Sequence, residues 1–377
     1  MVEFNQILLL FSILQLLLTG MLLLFSKTGN YTTTRFLALF LISKAICFVG
    51  SMNWNYGGSE LNCLYISLIS YSFDLVLGPF IYFYVKKSTL NEVKIDKRFF
   101  AHLVPFIVLF FSISVYYLIN SHTMKNDIVT KGNAITFLVV RYIEIIVYLH
   151  FVIYSGLAVR LVAVYRNYLK DNYSEIYFTI LKWLQLLLGG FIVIWILNIV
   201  QILIVLTGEY SEILFSFTII GIFAFANLMV ATAIKFPEVF LYKIPIVKQK
   251  YKKTRLSENE KQKYIEQLKK LMISEKLFLS CTLSLSDISQ RLRVQNHISS
   301  QIINSGFEKN FYDFVNMYRV EECKKLIKED TCRTKTLLEI AFECGFNSKS
   351  VFNDSFKKFT GITPSSYRKK ISQTAIA

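Results

Sequence analysis

Lys349, Ser350, Asn353, Asp354 and Lys357 share one side of a short helical stretch whose other side carries Val351, Phe352, Phe356 and Phe359. A polar, hydrogen-bonding face of this kind suits base edges and phosphates; a protein-binding face would more often show an apolar patch. The sequence has no Walker loop, no Gly-x-Ser-x-Gly and no His-Glu-x-x-His. Those motifs carry phosphate, acyl and metal-assisted chemistry, so we expect a binding protein rather than an enzyme, without a cofactor.

A second chemical set lies inside apolar stretches: Asp74, Arg141, Glu144 and His150. Charge at membrane depth is costly and marks a functional site by default. Arg141 and Glu144 are i,i+3 neighbours on one helical face. They either line a ligand pocket or proton path, or form an ion pair that holds helices together. Asp74 precedes Gly78-Pro79, where a kink is expected, and its partner is either Lys44 or Arg141. Metal and disulfide chemistry are not indicated. Cys47, Cys63, Cys281, Cys323, Cys332 and Cys344 form no Cys-x-x-Cys, and His102, His122, His150 and His297 are scattered. We expect idle thiols in a reducing compartment and no metal site.

The elements that must position these residues fall into two kinds. Of the 377 residues 54% are hydrophobic and 18% charged, against about 25% charged in an ordinary soluble protein. The charge is uneven: the net is +4 before Lys235 and +12 from it onward. Seven apolar stretches, 4–25, 36–54, 63–85, 103–119, 134–157, 184–206 and 213–234, approach the ~20 residues that cross a bilayer, the second and fourth being the weakest. Backbone groups in lipid must be paired internally, so these stretches should be helices. The start, Met1 to Gln6, has no positive n-region, so a first span rather than a cleaved signal is expected.

Eleven basic residues (Lys27, Arg35, Lys86, Lys87, Lys94, Lys97, Arg98, Arg160, Arg166, Lys170 and Lys182) lie between spans on one side, and two (Lys125 and Lys131) on the other. The richer side should be cytoplasmic, which puts the N-terminus outside and the basic C-terminal part inside. The run 248–255, KQKYKKTR, contacts anionic lipid head groups or is a solvated linker; both readings stay open. Residues 257–273 then read as an amphipathic helix on Ile265, Leu268, Leu271 and Met272.

Further along, Leu285, Ile288 and Leu292 share a helical face, a break follows at 293–295, and a second helix starts near Asn296 with Ile298, Ile302 and Ile303 inward. Two short helices about a tight turn make a helix-turn-helix. A long helix over about 310–328 follows, with Phe311, Phe314, Val315, Tyr318 and Leu326 inward. The pattern then repeats: Leu337, Leu338, Ile340 and Ala341, a turn at Cys344-Gly345-Phe346-Asn347, Ser348 as cap, and the helix 349–359.

The stretch from about Leu283 to Lys370 resembles the DNA-binding domain of AraC-family transcription regulators. The resemblance rests on Phe311-Tyr312-Asp313-Phe314, Tyr318-Arg319, Ile340-Ala341, Gly345-Phe346, Ser348, Phe352, Phe356-Lys357-Lys358, Gly361, Thr363-Pro364 and Tyr367-Arg368. The whole chain, with Gly78-Pro79 and Asp171-Asn172-Tyr173-Ser174, is similar to a membrane-bound branch of Bacteroidetes-type bacteria. The resemblance implies two recognition helices in successive major-groove segments. By position it makes His297, Ser300 and Gln301 base-facing in the first, and Lys349, Ser350, Asn353 and Asp354 in the second, with Lys357 beside the backbone. Gln and Asn suit adenine, Lys suits guanine, and Asp accepts from a cytosine amine. Two residues depart from the family pattern. Ser299 replaces an apolar residue, which should loosen the first recognition helix, and Asp354 replaces a frequent Arg.

The expectation is therefore an all-α chain. Residues 1–234 form a seven-helix bundle in the bacterial inner (cytoplasmic) membrane, 235–262 a basic linker, and 263–377 a cytoplasmic double helix-turn-helix domain. Double-stranded DNA and the lipid bilayer are the expected partners. A small-molecule or lipid ligand of the bundle and RNA polymerase are left open, as is the oligomeric state. The alternative is a membrane receptor or transporter whose basic domain binds protein or lipid.

Overall fold

The computed structural model describes residues 2–25, 31–56, 61–90, 97–120, 134–174, 178–207, 211–235, 257–330 and 334–374. Among them the regular elements are helices. The chain divides into two compact units, Met1–Ala163 with Ile180–Ile246, and Val164–Thr179 with Val247–Ala377. The basic run 248–255 lies outside the described residues.

The first unit holds α1 (Val2–Phe25), α2 (Tyr31–Tyr56), α3 (Leu61–Leu90), α4 (Lys97–Ala101), α5 (Val104–Asn120), the first part of α6 (Ala134–Asn172), α7 (Phe178–Leu206, from Ile180) and α8 (Glu212–Lys235). Six of these helices are long and apolar enough to cross a membrane; α5, the fourth expected span, is a shorter apolar helix over Val104–Ile119. α1 shows why this is not an ordinary soluble core. Leu9, Ile13 and Leu16 are buried, yet Ile7, Leu10, Leu14 and Leu18 on its other faces are exposed. A helix apolar all round finds a favourable surrounding only in other apolar matter, so the unit is compatible with membrane insertion. Some of its polar side chains turn inward and join helices. Asn5 Nδ2 donates to Ser216 Oγ at 2.9 Å, and Trp183 Nε1 donates to Tyr84 OH at 2.8 Å. Such bonds hold helices together where lipid supplies no hydrophobic drive between them. Helix α3 runs through Pro79, and a Cβ on Gly78 would stand 3.0 Å from Tyr154 Cβ, so the glycine allows α6 to approach.

The second unit holds α9 (Glu258–Ser274), a 3-10 turn (Leu277–Leu279), α10 (Leu285–Leu292), α11 (Asn296–Phe307), α12 (Phe311–Glu329), α13 (Leu337–Glu343), α14 (Lys349–Thr360) and α15 (Pro364–Thr374). It contains two small cores strung along α12. The first gathers Ile265, Leu268 and Met272 of α9 with Ile288, Ile302, Phe311 and Phe314. The second gathers Val320, Cys323 and Ile327 with Ile340, Phe346, Phe352 and Phe356. The segment 164–179 belongs to this unit: Ser174 N donates to Leu283 O at 3.2 Å, and Tyr173 bridges Ser284.

Candidate nucleic-acid interface

The helices α10 and α13 begin with the same local device. Ser284 and Asp287 form a reciprocal capping box at α10, and Thr336 and Glu339 form one at α13. Each satisfies two of the backbone N–H groups that a helix start leaves without partners. Both boxes are legible as Ser/Thr-x-x-Asp/Glu, a signal the sequence reading passed over. After α10, Arg293 turns the chain at φ 55°. After α13, Gly345 does so at φ 87°, where a Cβ would come within 2.5 Å of Phe278 O and 2.6 Å of Leu279 O. Glycine is thus demanded twice at that turn, by dihedral and by space.

These turns deliver α11 and α14. On α14, Lys349, Ser350, Asn353, Asp354 and Lys357 are all exposed, while Phe352, Ser355 and Phe356 are buried. Ser348 caps the helix by accepting from Val351 N at 3.3 Å. On α11, His297, Ser300 and Gln301 are half-buried. Asn304, which sequence reasoning missed, continues the same face one turn on; it is exposed and donates to Ser300 Oγ at 3.4 Å. The i+3/i+4 spacing from Ser300 and Gln301 was its signal.

Ser299 does not leave a loose site. It is fully buried and hydrogen-bonds Ser289 Oγ at 2.9 Å, and Ser289 in turn donates to Leu285 O at 2.8 Å. A buried, satisfied hydroxyl pair ties α10 to α11 where an apolar contact was expected.

Arg319 fixes the frame between the two reading heads. It is fully buried, with Nε donating to Phe278 O at 2.8 Å, Nη2 to Ser280 O at 2.8 Å, and Nη1 to Asn316 Oδ1 at 3.2 Å. Nη2 also donates to Ser174 Oγ at 3.2 Å, and the guanidinium lies 5.7 Å from the Phe346 ring centroid. The planar, permanently charged fork suits several fixed carbonyls at once. Lys358 pairs with Asp313 at 2.7 Å, joining α14 to α12, and Arg368 pairs with Asp330 at 3.2 Å, joining α15 to the end of α12. Hydrogen bonds from Thr334 and Lys335, with Arg368 nearby, hold the Asp330 carboxyl below its ordinary range. The Cys323 thiol is pushed up by its hydrogen bond to Cys344 and by burial, so it stays protonated and inert.

The membrane-depth charges fall as follows. Asp74 pairs with Lys44 at 3.5 Å, one of the two partners left open by the sequence. Glu144 is buried and accepts from Tyr71 OH at 3.2 Å. The Arg141 side chain lies outside the described residues, so its pairing with Glu144 does too. Among the described residues no three His, Cys, Asp or Glu side chains gather as metal ligands.

A bihelical reader of this geometry defines a class. Residues 288–370 match the family described as a helix-turn-helix domain, and this part of the chain is an AraC-type helix-turn-helix domain, the DNA-binding module of transcription regulators. The chain is similar to the melibiose operon regulatory proteins of Escherichia coli K12 and of E. coli O6:H1. In each case 24% of residues are identical over 87, covering 23% of this chain and 28% of the relative. The match thus spans little more than a quarter of those relatives. A solved protein of unknown function from Listeria innocua aligns with 25% identity and a TM-score of 0.25, over 28% of this chain and 95% of that one.

Proposed function

We propose that the chain is a membrane-tethered, sequence-specific transcription regulator whose helical bundle senses a ligand or membrane state. The N-terminus lies outside and the reader faces the cytoplasm of the bacterial inner membrane. The observation that carries this reading is one chain holding both parts: a bundle of long apolar helices, and a pair of helix-turn-helices with a polar, exposed second recognition face. The excess of basic residues on one set of loops supports the orientation. The relatives' printed role, regulation of an operon, supports the regulatory assignment.

Within the site, Lys349 and Asn353 read bases, with Ser350 beside them, and Asp354 accepts from a cytosine amine. Lys357 contacts phosphate. His297, Ser300 and Gln301 form the first reading face, extended by Asn304. Contact with RNA polymerase is compatible with this reading. Sensing requires a bundle ligand that prefers one conformation, since equal affinity for both shifts nothing.

The test is a titration of duplex DNA into full-length protein in lipid nanodiscs at rising salt. Affinity should fall steeply between about 50 and 200 mM, because each neutralised phosphate releases counterions. Binding indifferent to salt, or equal binding to single strands, would contradict the reading.

A further inference from the structure

A cavity of about 220 Å³ opens inside the first unit, with Lys44, Asp74, Glu144 and Gln201 in its wall. Its wall draws on the last half of α2 (Ser51), the first halves of α3, α6 and α8 (Asp74, Glu144, Phe215) and the last half of α7 (Gln201). Successive helices run in opposite senses across a bilayer, so these halves share one side, that of the α2–α3 connection. On the orientation proposed above, that side is the outer one.

The wall is chemically unfinished. The carboxamide nitrogen and oxygen of Gln201 are both buried, and among the described residues neither meets a hydrogen-bond partner. A buried amide without hydrogen bonds is destabilising unless something completes it. Lys44 and Asp74 stand 3.5 Å apart, longer than the roughly 2.7–2.9 Å of a tight charge-assisted bond. The Lys44 ammonium lies 5.1 Å from the Phe48 ring centroid and 5.6 Å from that of Trp195. The pair is thus loose and flanked by aromatic rings.

An anion would draw Lys44 off Asp74 and leave that carboxylate buried without its partner, and a cation would meet Glu144 or Asp74 but leave Lys44 no better paired than before. A neutral ligand would answer Gln201 alone. A ligand carrying both charges answers all three. We propose that this cavity binds a small zwitterion of the amino-carboxylate class, entering from the outer side. Its carboxylate meets Lys44, its ammonium meets Asp74 with Glu144 close by, and the Gln201 amide supplies a donor and an acceptor. Phe48 and Trp195 face an apolar side chain. The volume lies below the roughly 300 Å³ where drug-sized sites begin, which sets the scale at a single amino acid. The inference rests on the sensor reading and names its ligand class.

The test uses full-length protein in nanodiscs, followed by thermal unfolding and tryptophan fluorescence. The probes are glycine, leucine and phenylalanine, with phenethylammonium, 3-phenylpropanoate and 3-phenylpropanamide as controls that lack one or both charges. At least one amino acid should raise Tm with concentration. The controls should bind more weakly, and Gln201→Leu should weaken amino-acid binding about tenfold or more, the loss of one or two buried hydrogen bonds, while the ligand-free Tm holds or rises because the unpaired amide is gone. A control binding as tightly as the amino acids, or no shift with any amino acid at millimolar concentration, overturns the proposal. Amino-acid binding that leaves DNA affinity unchanged supports the cavity and overturns the sensor reading. Salt-dependent DNA binding without amino-acid binding overturns the cavity alone.

Discussion

Arg319 shows how much one buried side chain can hold. Its guanidinium serves Phe278 O, Ser280 O and Asn316 Oδ1, and so joins the 3-10 turn to the helix that carries both cores. Arg319→Leu strands those acceptors and should cost about 3 kcal/mol, since hydrogen bonds to charged groups contribute most. Arg319→Lys should recover only part, because a point charge cannot reproduce the fork. Urea unfolding of the C-terminal fragment checks both; wild-type stability in Arg319→Leu would show the network to be incidental. Asp330 gives a pH signature. Its folded carboxyl is held below the ordinary range, so its contribution is full above the unfolded value and is lost as pH falls through the folded one. Asp330→Asn should therefore lower Tm at pH 7, with the gap to wild type closing only as pH falls below the ordinary carboxylate range. A gap that widened in acid would contradict the assignment. On α14, Lys349→Ala and Asn353→Ala should each cost ~1–3 kcal/mol and relax preference at one position, whereas Lys357→Ala should weaken all sequences alike. Asp354→Asn decides that residue's role. A change at one position fits a cytosine contact, and a uniform gain means mere repulsion from phosphate.

At the scale of elements, the double helix-turn-helix was legible because each short helix carries an unambiguous apolar face and Gly345 marks the second turn. The role of Arg319 was not, since its two backbone acceptors lie about forty residues away in sequence, and carbonyls leave no trace in side-chain pattern. The Ser289–Ser299 pair was hidden for a related reason: a lone serine at an apolar position looks like a defect until its partner is known. Helix α6 also exceeds expectation, running from Ala134 to Asn172 rather than stopping near 157. No Gly or Pro interrupts 158–172, and apolar residues alternate there with Arg160, Arg166 and Lys170, so the helix outlasts its apolar run. Helix α9 carries a design lesson. Ile265, Leu268 and Met272 are buried, and the Ser257–Glu260 capping box starts the helix. A fragment begun at Lys263 loses that box and the first turn. A fragment begun at Ser257 should be more stable by about 1 kcal/mol, the usual worth of a cap. Equal Tm values for the two fragments would show that α9 contributes only its last turns.

At the scale of the molecule, composition and loop charge were informative because a bilayer imposes a length and a sign rule that any sequence must obey. Nothing in them located the cavity wall, which requires knowing which helix halves meet. Reporter fusions test the orientation. A reporter active only in the cytoplasm should work after Ala377 and stay silent within 57–60, and the reverse would sink the tethered arrangement. The account's central claim is that one membrane-embedded chain reads a DNA sequence through α11 and α14. The most direct measurement is selection from randomised duplexes by the full-length protein in nanodiscs, repeated with Lys349→Ala/Asn353→Ala. The account predicts a motif of two blocks about 10–10.5 base pairs apart, one helical turn, with one block lost in the double variant. Recovery of no motif, or of an identical motif from both proteins, would contradict it.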